Sequence, residues 1–403
     1  MVNFAVFRRT TLLRSQRPLA AVLLIIAVVA AASLDAQQNS APPSSATPPV
    51  LDAEITSYNG YLLKPATAVR TPYGNDRETP LPPEAPTAKN PPNGAIIYYY
   101  LKSVPSNPLS LEIHDAQGKV VRRFNSLTPA VDSTPKSVPN VSLGPSTHLS
   151  KDAGLNRFVW DLRYEPPQVL NFSSSSVPSD HIEHAIPGHA LPADTAREQT
   201  LGPLAVPGPY EVFFIGNGVV MKQPLTITLD PRVHVSQADL EAQLLALKRA
   251  DSGLAASAKA FQSITNLRAA ISDRLNTLGT TAANPQAEGS VDALNELDKK
   301  AAALLEGTLE APGLVPINRD LTRTSFLIQS GDAAPNQTAQ AALEHSCGQL
   351  NQNLTTWGDL DSQSVPATNT IIAKSGLAAL PTATVMSITS ASHDAASSDA
   401  CGP

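Results

Sequence analysis

Charge and aromatic rings are both scarce in this chain. Charged residues make up 16% and aromatic residues 5% of its 403 positions, where soluble domains ordinarily carry about 25% charge. The 29 basic side chains fall short of the 35 acidic ones, for a net charge of −6. That balance offers no attraction to nucleic acid or anionic lipid, so no nucleic-acid partner is expected. With so few rings, a stacking platform for bases or sugars has to be small. The motifs of common chemistries are missing as well. There is no Gly-x-Ser-x-Gly elbow, no His-Glu-x-x-His helix and no glycine-rich phosphate loop. No catalytic residue, cofactor or metal ion is therefore assigned.

Cysteine is nearly absent too. Cys347 and Cys401 are the two present, and in an oxidising compartment they can close a loop of about 54 residues, stabilising by about 4 kcal/mol. The alternative is two unpaired thiols, one of them on a helix face. His345 lies two residues from Cys347 on that helix, so the two side chains point to different faces.

What the chain has in quantity is Ala, Ser, Thr and Pro. Its 36 prolines favour extended strands and loops over a uniformly helical protein. It also has a marked start. Arg8, Arg9, Arg14 and Arg17 precede an apolar run from Leu19 to Ala32, and Leu34-Asp35-Ala36 offers a cleavage site before Gln37. The run is shorter than the roughly 20 residues of a membrane-spanning helix. Residues 1–36 read as a signal peptide, which implies export to the periplasm or the medium. An uncleaved N-terminal anchor is the alternative, and no membrane span is expected after cleavage.

Residues 37–92 are a Pro-rich linker or extended segment. From 93 to 232 the hydrophobic period is two. AIIYYYL (95–101) is a strand that packs on both faces; the alternative presents one or two rings of Tyr98–Tyr100 to a ligand. Leu111 and Ile113, then Asp115-Ala116-Gln117-Gly118, then Val120–Phe124 read as a hairpin. In RFVWDLRY, Phe158, Trp160, Leu162 and Tyr164 point one way, and Arg157, Val159, Asp161 and Arg163 the other. PYEVFFI, Gly216-Asn217-Gly218 and VVMKQPLTITLD form a second hairpin, with Pro224 marking an edge or bulged strand. From 236 to 381 the period becomes helical. Ser236 and Asp239 open a long amphipathic helix, and stripes over Val291–Leu304 and Ala339–Trp357 give two more. Residues 382–403 read as a Ser/Ala/Asp-rich disordered tail. The expected fold class is α+β in separate parts: an antiparallel immunoglobulin- or fibronectin-like β-sandwich, then an antiparallel helical bundle or helical hairpin. The near-heptad stripe admits self-association.

Four polar residues are surface candidates. His181 and His184 stand in a Pro-bounded loop with Asp180 and Glu183, where a solvated loop competes with metal ligation. Asp161 and Glu165 flank the aromatic strand, where a salt-bridged solvent face competes with a carboxylate pair for sugars.

The segments GYLLKPATAVR, TPLPPEAPTAKNPPNGAIIYYYLK, SLEIHDAQGKVVRRF, GLNRFVWDLRY and PGPYEVFFIGNGVVMKQPLTITLDPRV, taken in order, resemble the C-terminal region of large secreted bacterial proteins. Those proteins carry BNR-type or sortilin-type β-propellers and are often labelled glycosyl hydrolases. The likeness covers about residues 59–381 and extends to the ending TTWGDLDSQSVPATNTIIAKSGLAALP. It implies a sandwich followed by a helical segment, without the propeller blades that hold such enzymes' catalytic residues. The functional expectation is an exported, non-catalytic accessory or binding module with a protein or glycan partner in the cell envelope. Two alternatives stand beside it: a glycosyl hydrolase-related protein, and a remnant or half that docks on a separate propeller.

Overall fold

Among the described residues eight strands form, the first two inside the stretch 37–92 read as a linker or extended segment. These are β1 (Gly60–Leu62), β2 (Ala68–Arg70), β3 (Ala95–Leu101), β4 (Ser110–Asp115), β5 (Val120–Asn125), β6 (Gly154–Trp160), β7 (Gly208–Gly216) and β8 (Val219–Leu229). The structure is a computed structural model that describes residues 49–71, 93–127, 148–167, 170, 201–279, 287–382 and 399–402. A short helix α1 (Ala53–Ser57) precedes the strands, capped by the Asp52 carboxylate, which accepts from the Ile55 N–H.

The strands form two sheets, ordered β1-β3-β6 and β2-β8-β7-β4-β5. The pairs are antiparallel except β2, which runs parallel to β8. The larger sheet is therefore mixed rather than antiparallel throughout. β2 reaches β8 across a long stretch of chain, so no hairpin sets its direction. The two expected hairpins form. Asn217 and Gly218 both take positive φ, 51° and 79°, as the tight turn between β7 and β8 requires. Gly118 closes the other turn at φ 77°, its N–H donating to the Asp115 carbonyl. Pro224 lies opposite Glu211 of β7, and β2 joins β8 only at Ile227–Leu229. The missing N–H of Pro224 therefore falls where that side of β8 has no ladder partner.

One period-two reading fails. β6 ends at Trp160, and Leu162 takes φ 59°. That reversal breaks the alternation, so Arg163 turns inward, only 5% exposed, instead of sharing a solvent face with Arg157.

Both sheets contribute to one core. Leu62, Ile97, Tyr99 and Trp160 of the smaller sheet meet Ile113, Val212, Phe214 and Ile227 of the larger. Three ring contacts cross between them: Tyr99 stacks on Phe214 at 5.2 Å, Phe124 meets Phe158 at 4.6 Å, and Tyr210 meets the Trp160 edge at 5.9 Å.

The second half is helical: α2 (Gln237–Gly279), α3 (Ala287–Glu306), α4 (Leu314–Gln329), α5 (Gln337–Asp359), a π turn (Leu360–Ser364) and α6 (Val365–Ile372). Ser236 caps α2, its Oγ accepting from the Asp239 N–H. The helix α4 is additional to the three read from the sequence. Its buried stripe carries Asn318, Thr324 and Ser325 among the leucines and isoleucines, which breaks the apolar pattern. Asn318 compensates by donating to Ser257 Oγ of α2 at 2.7 Å. Cys347 and Cys401 are bonded, Cα–Cα 5.8 Å, over Gly253 of α2. A Cβ on Gly253 would lie 2.7 Å from Cys401 Sγ, so only glycine leaves room for the bridge.

The described residues from Leu51 onward belong to one compact unit, and two arginines tie its β half to its helical half. Arg70 at the end of β2 is 1% exposed. It reaches Asp332 Oδ1 at 2.7 Å, Gln243 Oε1 at 3.1 Å and the Ala205 carbonyl at 2.8 Å. Arg163 donates to the Gly202 carbonyl at 2.8 Å and to Gln329 Oε1 at 2.9 Å. Gln243 in turn donates to the carbonyls of Ile328 and Gly331. Charge-assisted bonds to a fixed guanidinium fork give the joint its geometry.

Candidate binding face

Strand β3 sorts its residues by parity. Ala95, Ile97, Tyr99 and Leu101 are buried, while Ile96, Tyr98 and Tyr100 stand on the other face, half-buried. The expectation that AIIYYYL packs on both faces therefore gives way. Only Tyr99 of the three tyrosines enters the core, where its hydroxyl donates to the Ser150 carbonyl at 2.7 Å and burial raises its pKa above the ordinary tyrosine value. Tyr98 and Tyr100 remain on the outside because a strand of period two presents every second side chain there.

The register of the three-stranded sheet then gathers partners around them. Tyr61 of β1 lies directly opposite Tyr100, and Leu155 of β6 flanks Tyr100 on its other side. Tyr98 stands opposite Arg157, and Ile96 opposite Val159. Tyr58, 42% exposed, adds its ring 5.4 Å from that of Tyr61. Four of the chain's eight tyrosines thus converge on one side of one small sheet. The turn at Asn217 steadies this corner: its Nδ2 donates to the Asn59 carbonyl at 2.6 Å.

The open face of the larger sheet has the opposite character. Arg123 pairs with Glu112, Lys222 with Glu211, and His114 with Glu112, each at 2.9 Å. Burial opposes ionisation of Glu112, but His114 and Arg123 still bring its pKa below the usual carboxylate value. This is an ordinary solvent face, laced by two cross-strand ion pairs and one contact within β4, each of modest value. Among the described residues the tyrosine face has no such lacing. This partly buried apolar surface is the candidate binding face.

The residues singled out in the sequence are differently placed. Asp161 accepts two hydrogen bonds from Arg122 Nη1, at 2.9 and 3.1 Å, and one from the Arg163 N–H at 3.1 Å. Its carboxylate shapes the corner after β6. Glu165 is exposed, and its backbone N–H donates to the Val121 carbonyl at 3.3 Å. His181 and His184 lie outside the described residues. Among the described residues no three or more His, Cys, Asp or Glu side chains group to hold a metal ion, and no helix is long and apolar enough to cross a membrane. Tyr58 and Tyr61 escaped the sequence reading. Their one local signal is the Tyr-x-x-Tyr spacing, which says nothing about pairing with β3. No family model, curated protein or solved structure matches the chain.

Proposed function

We propose that this chain is an exported, non-catalytic binding module: an immunoglobulin- or fibronectin-like sandwich braced by an antiparallel helical bundle. It takes a protein partner in the cell envelope on the tyrosine-bearing face of the three-stranded sheet. The observation that carries this reading is the contrast between the two open sheet faces, one laced by ion pairs and one bearing Tyr61, Tyr98 and Tyr100 among Leu155, Ile96 and Val159. Tyrosine supplies large contact area with few rotatable bonds, and tyrosine and arginine are enriched at protein interfaces. The aliphatic neighbours favour a protein surface over a glycan, whose hydroxyls would find no hydrogen-bond partner among them. The resemblance to the C-terminal region of propeller proteins makes a separately encoded β-propeller the first partner to test.

The test compares the wild-type chain with a Tyr61→Ser, Tyr98→Ser, Tyr100→Ser variant as bait in an envelope extract. Intact folding is checked through Trp160 fluorescence. Proteins recovered by the wild type and lost with the variant support the reading. Identical recovery by both refutes it, as does glycan-array binding that disappears with the three tyrosines.

A further inference from the structure

A cleft of about 520 Å³ opens in the helical half, away from the sheets, between α3, the connection after it, α5 and the π turn. That volume suits a small-molecule or short-peptide ligand. Its polar lining is unusual. Gln349, Gln352 and Asn353 come from one stripe of α5, and Gln363 is brought in by the π turn. The turn exists because Val365 N–H bonds back five residues to the Leu360 carbonyl and Pro366 follows without an N–H. Single π turns of this kind recur at functional sites. Asn353 sits at the base, its Nδ2 donating to the carbonyls of Leu304 and Pro312 at 3.2 and 3.4 Å. Its Oδ1 is buried beneath the cleft surface, so Asn353 braces the floor of the cleft and leaves ligand contacts to the more exposed Gln349, Gln352 and Gln363. The remaining wall is aliphatic, with Leu304, Pro312 and Leu360, and one charge of each sign, Lys300 and Asp359, lines the same space.

We infer that this cleft binds a short peptide with free termini. A primary amide offers one donor and one acceptor side by side, which is the complement of a peptide unit. Several amides in one cleft therefore read a backbone rather than a particular side chain. The aliphatic wall takes small apolar side chains, and Lys300 and Asp359 answer a terminal carboxylate and a terminal amine. A sugar is the weaker match, since no aromatic ring lines the cleft to stack on its face. The site is independent of the tyrosine face and its partner.

The experiment titrates the full chain with trialanine, N-acetyl-trialanine amide and maltotriose, followed by ligand-observed NMR. Trialanine is expected to bind, the blocked peptide at least tenfold more weakly, and maltotriose not at all. Gln349 is half-buried and Gln352 exposed, so a Gln349→Ala, Gln352→Ala variant keeps its fold, verified by an unchanged thermal midpoint. It is expected to lose at least tenfold in trialanine affinity. Lys300→Met is expected to weaken the preference for the unblocked peptide, and Lys300→Met with Asp359→Asn to abolish it. Absence of trialanine binding at millimolar concentration, binding of maltotriose instead, or affinity unchanged in the double variant overturns the assignment. The tyrosine-face variant is expected to bind trialanine as the wild type does.

Discussion

Replacing Asp332 with alanine tests the joint between the two halves directly. Arg70 would keep its bonds to Gln243 and to the Ala205 carbonyl but lose its counter-charge. The guanidinium is 1% exposed and the Asp332 carboxylate 4%, so water reaches neither group to compensate. Removing one partner of a buried pair costs about 3–5 kcal/mol, and the surviving bonds place this change near the lower figure, about 3 kcal/mol. With a urea slope of about 3 kcal/mol/M, the midpoint falls by about 1 M. The chain holds two tryptophans, Trp160 in the β core and Trp357 in the helical core. Trp160→Phe and Trp357→Phe backgrounds therefore report each half separately. In the wild type the two fluorescence transitions are expected to coincide, and in Asp332→Ala to separate. Arg70→Met with Asp332→Leu should recover most of the loss, because an apolar pair leaves no buried charge. A cost below about 1 kcal/mol, with both tryptophans still reporting one transition, would refute the view that this ion pair couples the halves.

Further tests address the helical half. Burial pushes the Asp251 carboxyl up to about 7 from its ordinary 3.8, so the folded chain holds a proton there that the unfolded chain releases. The associated stability is fully present below about pH 4 and lost as pH rises through 7. Asp251→Asn should then raise stability at pH 8 by up to about 4 kcal/mol and change little at pH 4; equal thermal midpoint shifts at both pH values would contradict this. Opening the Cys347–Cys401 bridge, which spans 54 residues of sequence, should cost about 4 kcal/mol, read as a lower urea midpoint in reductant. Gly253→Ala places its methyl 2.7 Å from Cys401 Sγ, and overpacking of about 1–3 kcal/mol outweighs the gain in helix propensity of about 1 kcal/mol. Its thermal midpoint should fall in the oxidised protein, and a rise would show that the bridge shifts freely.

The order of strands before helices was legible in the sequence because periods of two and of three to four are local properties. The same holds for the turns at Gly118 and at Asn217-Gly218, whose positive φ follows from residue type, and for the Ser236 cap. The helix α4 was hidden because Asn318, Thr324 and Ser325 take buried places that a leucine pattern would have marked. Arg163 looked solvent-facing because alternation assumes an unbroken strand, and the reversal at Leu162 is not written in any single residue.

What tertiary structure alone decided is which residues meet. That Tyr61 lies beside Tyr100 depends on the register of β1 against β3, set by the packing of Leu62, Tyr99 and Leu101 beneath them. That Arg70 serves a joint rather than a surface depends on a loop more than 260 residues away, at Asp332. The chain's own chemistry determines its local conformations through steric and hydrogen-bond preferences of a few neighbours. Its binding face and the coupling of its halves arise only when burial of a shared core brings distant segments into fixed register.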